Sequence, residues 1–255
     1  MSAGLTNGPD FQIYGGRDPR LLPTYSLDIA ARFLLLPKST LKAWVFGATW
    51  RPKGKPVRYY HPLLDPPNPP ELTLSFVNLV EAHVLKSLRR KYLIHMPNIR
   101  IAIDDLKQRF GTQHPLADVN LLAGNRSVIL EERRLLLNVG MGKQLAMDFV
   151  RAYLSRIERP VDTELAVRLF PFVTPPRVIG KVLSESEHSE KIVAIDPYIS
   201  FGRPIINGTG IPTAEIAERF FGGDSISDLI EDFGRTQTEI EYAIRWENAQ
   251  IAQAA

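Results

Sequence analysis

Five of the ten residues from His61 to Pro70 are proline (Pro62, Pro66, Pro67, Pro69 and Pro70). Neither a helix nor a central strand survives such a run, because each proline removes a backbone donor and fixes its own φ. The segment reads as an extended connector that parts a basic head from the rest of the chain. A second break runs from Pro171 to Lys191, where Pro175-Pro176 leads into Ser184-Glu185-Ser186-Glu187-His188-Ser189-Glu190. That is the composition of a linker. The chain then divides into 1–117, 118–190 and 191–255: a head with its helical extension, an α+β middle with linker, and a tail. Its 255 residues allow one large domain or two to three small ones.

Charge follows the same division. Residues 1–62 hold nine Lys/Arg against three acids, a net +6, whereas residues 210–255 hold three Arg against nine acids, a net −6. A basic head and an acidic tail predict different partners for the two ends. With 44% apolar and 23% charged residues the chain is ordinary globular material. Disordered, collagenous and membrane-spanning classes are excluded on that composition. Met1 to Asp10 lacks the order of a secretory signal, and there is no cysteine for a disulfide, a thiolate zinc site or a nucleophile. The expected location is the cytoplasm.

In the head, Ser26 is placed to cap a helix in which Leu27, Ala30, Ala31 and Leu34 recur at helical spacing. Leu35-Leu36-Pro37 ends it, and Pro37 suits the mouth of a second helix with the stripe Leu41, Trp44 and Val45 and a stop at Gly47. Two short helices joined in this way outline a helix-turn-helix. The Lys53-Gly54-Lys55 tip between extended flanks, from Trp50 to Tyr60, resembles the hairpin wing of a winged helix. With the stripe turned inward, Lys38, Ser39, Thr40 and Lys42 face out to meet a major groove. Arg51, Lys53, Lys55 and Arg58 on the wing would neutralise flanking phosphates.

Beyond the connector, Leu74, Val77, Val80, Val84 and Leu88 predict a helix from Glu71 that is apolar on more than one side. Val77, Val80, Val84 and Leu88 are the candidate contact of a homodimer. A further helix is expected over 98–110, short strands over 127–130 and 134–139, and a helix over 143–157. In the tail, Ile192 to Ile195 reads as a strand and Phe201 to Pro212 as a Gly- and Pro-rich turn. Three capped helices come after it: 214–221 behind Thr213, 226–233 with Ser225 and Asp228 at capping-box spacing, and 237 to about 251 behind Thr236 and Glu239. The fold class expected is mainly α: a winged helix-turn-helix head, an α+β middle with a short hairpin, and a trihelical tail preceded by a strand.

Catalysis finds little support. The five histidines stand 22, 12, 19 and 74 residues apart, and neither HExxH nor GxSxG occurs. Gly140-Met141-Gly142-Lys143 lacks the Gly and Ser/Thr of a phosphate loop, with Leu137 and Gln144 in those places. No enzyme, metal or cofactor is expected.

The run Ile195-Asp196-Pro197-Tyr198-Ile199-Ser200-Phe201-Gly202-Arg203-Pro204-Ile205-Ile206-Asn207-Gly208-Thr209-Gly210-Ile211-Pro212-Thr213 resembles a widespread bacterial domain of unknown function. The resemblance spans about 191–246, and this domain is encoded beside toxins with a PIN-like nuclease fold. Where many members carry Arg, this chain carries Gly210. Tyr25 to Arg32 together with Leu36 to Gly47 is similar to the MerR-type helix-turn-helix. Longer antitoxins of the VapB class join such a head to such a tail. The resemblance implies an antitoxin that neutralises a PIN-like ribonuclease toxin and binds operator DNA to repress its own operon. An acidic tail would then compete with RNA for the toxin's basic surface, with Glu215, Glu218, Asp228, Glu231, Asp232 and Glu239 as candidates. A stand-alone MerR-like regulator without a toxin is the alternative.

Overall fold

Ser26, Pro37 and Gly47 punctuate the head as their chemistry demands. The structure is a computed structural model that describes residues 12–51, 54, 56–68, 71–90, 96–117, 156–158, 165–171 and 191–254. Helix α1 spans Leu27–Phe33, and the Ser26 hydroxyl accepts from the Ile29 amide at 3.3 Å. Leu34, Leu35 and Leu36 bury themselves in the turn, with Leu35 in the left-handed region at φ 47°. Helix α2, Lys38–Phe46, starts on Pro37 and turns Leu41, Trp44 and Val45 into the core. It stops at Gly47, φ 77°, where an added Cβ would lie 2.3 Å from the Tyr60 carbonyl oxygen. Only glycine allows the chain to turn there into the wing. That wing is strand β2 (Ala48–Trp50) paired antiparallel with β3 (Arg58–Tyr60), Thr49 opposite Tyr59.

The proline-rich connector is not a free spacer. Leu63 and Leu64 are buried, and their amides both donate to the Trp44 carbonyl, at 2.7 and 3.1 Å. The chain then returns to the head as β4 (Thr73–Leu74), antiparallel to β1 (Tyr25–Ser26). Helix α3 (Phe76–Arg90) therefore starts later than the Glu71 expected, because Thr73 and Leu74 are committed to β1. Ser75 and Asn78 cap it reciprocally: each side chain accepts from the other's amide at 3.2 Å. This is a capping box with Asn in the acidic place.

Helix α3 is the axis of the larger core, with Phe76, Val77, Leu79, Val80, Ala82, Val84 and Leu85 all buried. Val77, Val80 and Val84 are thus spent within their own chain and offer no surface to a second copy, which corrects their assignment to a dimer contact. The side chain of Leu88 lies outside the described residues. Helix α4, Met96–Phe110, turns Ile99, Ile103 and Leu106 inward and is closed by Gly111.

Of the middle segment, the strands expected at 127–130 and 134–139 and most of the 143–157 helix lie outside the described residues. Ile157 belongs instead to strand β5 (Ile157–Glu158), and β6 (Arg168–Leu169) comes next. These pair with β7 (Val193–Ile195) and β8 (Pro204–Ile206) in one antiparallel sheet, order β5-β6-β7-β8. Part of the expected 201–212 turn is therefore strand. The Ile195–Pro204 and Val193–Ile206 pairings turn it back on β7.

Helices α5 (Thr213–Phe221), α6 (Ile226–Phe233) and α7 (Gln237–Ala254) complete the tail. The Ser225–Asp228 and Thr236–Glu239 boxes form, and Gly234 closes α6 in the left-handed region. Thr213 does not cap α5. Pro212 holds that place, and the buried Thr213 hydroxyl donates to Glu247 of α7. Ile206, Ile216, Leu229, Ile240 and Ala243 form a small core of the tail. The buried Trp246 of α7 lies with its ring centre 6.5 Å from that of Phe33 of α1 and so joins tail to head.

Candidate nucleic-acid interface

The packing that buries one face of α2 leaves the opposite face in solvent. Lys38, Ser39 and Lys42 are exposed and Thr40 is half-buried. Lys38 is ion-paired with Asp28 at 2.6 Å, but both side chains are more than half exposed. Such a pair contributes little and yields readily to a phosphate. Lys42 makes no hydrogen bond or ion pair with any described residue. On the wing, Arg51 and Arg58 are likewise exposed and without a partner among the described residues. Lys53 and Lys55 at the tip lie outside those residues.

Two aromatic side chains that no sequence pattern singles out are exposed on the wing. Trp50 and Tyr59 are 51% and 55% exposed on the hairpin that carries the two arginines. Tyr59 donates to the Phe46 carbonyl at 3.4 Å, so it also braces the wing on the end of α2. The alternation of a three-residue strand is too short to reveal which side chains face solvent. A cleft of about 440 Å³ opens beside α2, between Ser39 and Thr40 on one side and Tyr60, Arg89, Met96 and Arg100 on the other.

Head and tail meet at the turn that begins with the buried Asp196. Its carboxylate accepts from Arg168 at 2.9 and 3.1 Å and from the Tyr198 amide at 2.9 Å. Tyr14 donates to the Pro197 carbonyl and Tyr25 to the Gly202 carbonyl, each at 3.0 Å. Burial, reinforced by the Asp196 charge, raises the Tyr14 and Tyr25 phenols. Burial likewise pushes Tyr198 up to about 12, so these groups remain hydrogen-bond donors across physiological pH.

Of the histidines, His83 is buried in α3, where burial and then the charges of Lys86 and Arg156 push its pKa down to about 3. It is a neutral core group. His114 packs its Nδ1 3.1 Å from the buried Glu81 carboxylate. Among the described residues no group of three or more His, Cys, Asp or Glu side chains is placed to hold a metal.

The six candidate acids of the tail separate into two kinds. Asp228 and Glu239 are engaged by their own helix caps, and Asp232 accepts from Arg219 at 2.5 Å. Glu215, Glu218 and Glu231 are exposed without a partner among the described residues. On α5, Glu215 and Glu218 share their outward face with Phe221, which is 55% exposed.

Comparison with known proteins matches these two ends to two families. Residues 23–103 match the family described as "Putative DNA-binding HTH domain", and residues 193–246 match "Protein of unknown function (DUF433)". The chain joins a DNA-binding-type helix-turn-helix domain to a DUF433 domain. Over 239 residues it is 26% identical to "Putative antitoxin VapB45" of Mycobacterium tuberculosis, covering 88% of this chain and 93% of that one. It is 24% identical over 218 residues to "Uncharacterized protein Rv2308" of the same organism, covering 82% and 83%. The crystal structure of Rv2018 from Mycobacterium tuberculosis superimposes with a TM-score of 0.59 at 23% identity, over 88% of this chain and 98% of that one. At that identity the likeness is one of fold. It extends over most of both chains. No helix of the described residues is long and apolar enough to cross a membrane.

Proposed function

We propose that this chain is the cytoplasmic antitoxin of a type II toxin–antitoxin pair. As a homodimer it binds operator DNA through α2 and the wing, and it neutralises a PIN-like ribonuclease through its tail. It works by binding and has no catalytic step. The observation that carries the DNA reading is the exposed start of α2, with Lys38, Ser39 and Lys42 in solvent beside a wing that presents Arg51 and Arg58. Gly47 sets the angle between them. The likeness to an antitoxin over 88% of the chain supports the second half of the reading. Glu215, Glu218 and Glu231, without intramolecular partners among the described residues, are the acids that suit a basic RNA-binding surface, and Phe221 supplies an apolar anchor among them. With Val77, Val80 and Val84 inside the core, the dimer contact belongs to another surface.

Co-expression with the product of the adjacent reading frame tests this. The expected result is a stable complex in which the partner no longer cleaves RNA. The free chain should shift DNA from its own promoter, with Lys42→Ala and Arg58→Ala each lowering the log–log salt slope by about 0.9. DNA binding without a partner protein would instead mark a stand-alone regulator. A chain that neither binds DNA nor retains a partner overturns the proposal.

A further inference from the structure

The cleft beside α2 gathers residues from elements far apart in the chain. Arg89 reaches it from the last turn of α3 and Arg100 from α4, facing Ser39 and Thr40, and no acid is among the described residues that line it. Arg89 is exposed and makes no hydrogen bond or ion pair with any described residue. Arg100 is held differently: it donates to the His61 carbonyl, and its guanidinium lies 5.5 Å from the centre of the Tyr60 ring. Burial lowers its pKa, and the charge of Asp104 only partly offsets this. Two cations thus share a concave surface with the proposed DNA-contacting turn, and neither has an ion-pair partner among the described residues.

We propose that this cleft is a phosphate-gripping arm of the DNA interface, in which Arg89 and Arg100 hold the duplex backbone beside the first turns of α2. The inference rests on the reading of the head as a DNA-binding module and adds to it a contact from outside the helix-turn-helix and wing. Three properties select a nucleic-acid phosphate as the occupant. The charge is positive, the surface is continuous with Ser39 and Thr40, and a guanidinium offers a forked pair of donors to phosphate oxygens. A phosphate contact positions the protein without reading sequence, so its loss should weaken binding to every duplex alike.

Fluorescence anisotropy of the full chain decides the matter, using a labelled duplex from upstream of its own reading frame and an unrelated duplex of equal length, each titrated with KCl. Arg89→Gln should lower the log–log salt slope by about 0.9 and weaken binding on both duplexes equally. Arg89→Lys, which keeps the charge, should restore most of the slope. The Arg89→Gln/Arg100→Gln pair should lower it by about twice as much, with circular dichroism confirming the fold. An unchanged slope in Arg89→Gln, when the wild-type chain binds, overturns this inference alone and returns the cleft to a small ligand or a protein partner. Loss confined to the chain's own duplex would mean base readout and would also overturn it. A wild-type chain that binds neither duplex removes the reading of the head, and this inference with it.

Discussion

The Tyr25 hydroxyl donates to the carbonyl of Gly202 at 3.0 Å, across 177 positions of sequence. The fit leaves no room for a side chain: a Cβ on Gly202 would lie 2.1 Å from that hydroxyl oxygen, at a φ of +74°. Tyr25 is the first residue of β1, and Gly202 lies in the Asp-Pro to Gly-x-Pro turn of the tail, so this hydrogen bond helps to fasten the two ends together. Gly202→Ala should therefore lower stability by about 2–3 kcal/mol and Tyr25→Phe by about 1 kcal/mol. The double variant removes the hydroxyl that the new methyl would strike, so it should cost less than the sum. Urea denaturation of all four proteins measures the coupling, and strict additivity would show that the joint does not depend on this pair.

Val80 is buried within its own chain. Val80→Asp should therefore abolish the helical far-ultraviolet signal, and Val80→Ala should cost on the order of 2 kcal/mol. A folded Val80→Asp protein that sediments as a monomer, where the wild type sediments as a dimer, would return this face to a subunit contact.

Glu81 and His114 set a pH dependence. Burial opposes the His114 charge, but the hydrogen bond and charge of Glu81 outweigh it, and the net pKa is raised. Burial also raises the Glu81 carboxyl, although His114 and Asn78 pull it down. Each group binds its proton more tightly folded than unfolded, so stability falls as pH rises. The Glu81 share begins to be lost above about pH 4.5 and the His114 share above about pH 6.5, each disappearing as pH passes the folded pKa. Melting temperatures measured from acid to mildly alkaline pH should show both losses, and His114→Gln should remove the upper one. A His114→Gln profile parallel to the wild type would rule the pair out as its source.

The tail acids are separable by experiment. Glu215→Lys with Glu218→Lys should leave the melting temperature near that of the wild type while releasing the co-expressed partner that the proposed function requires. Asp228→Ala removes half of a capping box, so it should lower the melting temperature and leave the isolated complex intact at low temperature. Equal effects of the two changes on toxin binding would argue against a docking surface on α5.

Many helix ends set by a short local rule are legible in the chain. Ser26, Pro37, Gly47, Ser225 and Thr236 end or begin their helices because a cap or a stop needs only neighbouring residues. The apolar stripe of α2 likewise dictated which of its side chains remain in solvent. Sequence alone could not say what the apolar faces meet. Val77, Val80 and Val84 have the spacing of a subunit contact or of a core, and only the packing of α3 among the head elements and α4 makes them core. Strands of two or three residues, such as β5, β6 and β8, carry no readable alternation and exist because partners distant in sequence supply their hydrogen bonds. Thr213 has the chemistry of a cap, yet Glu247 of α7 takes its hydroxyl. The cleft that joins Arg89 and Arg100 to Ser39 is likewise decided in three dimensions, because α3 and α4 must fold back past α2 before those residues share a surface.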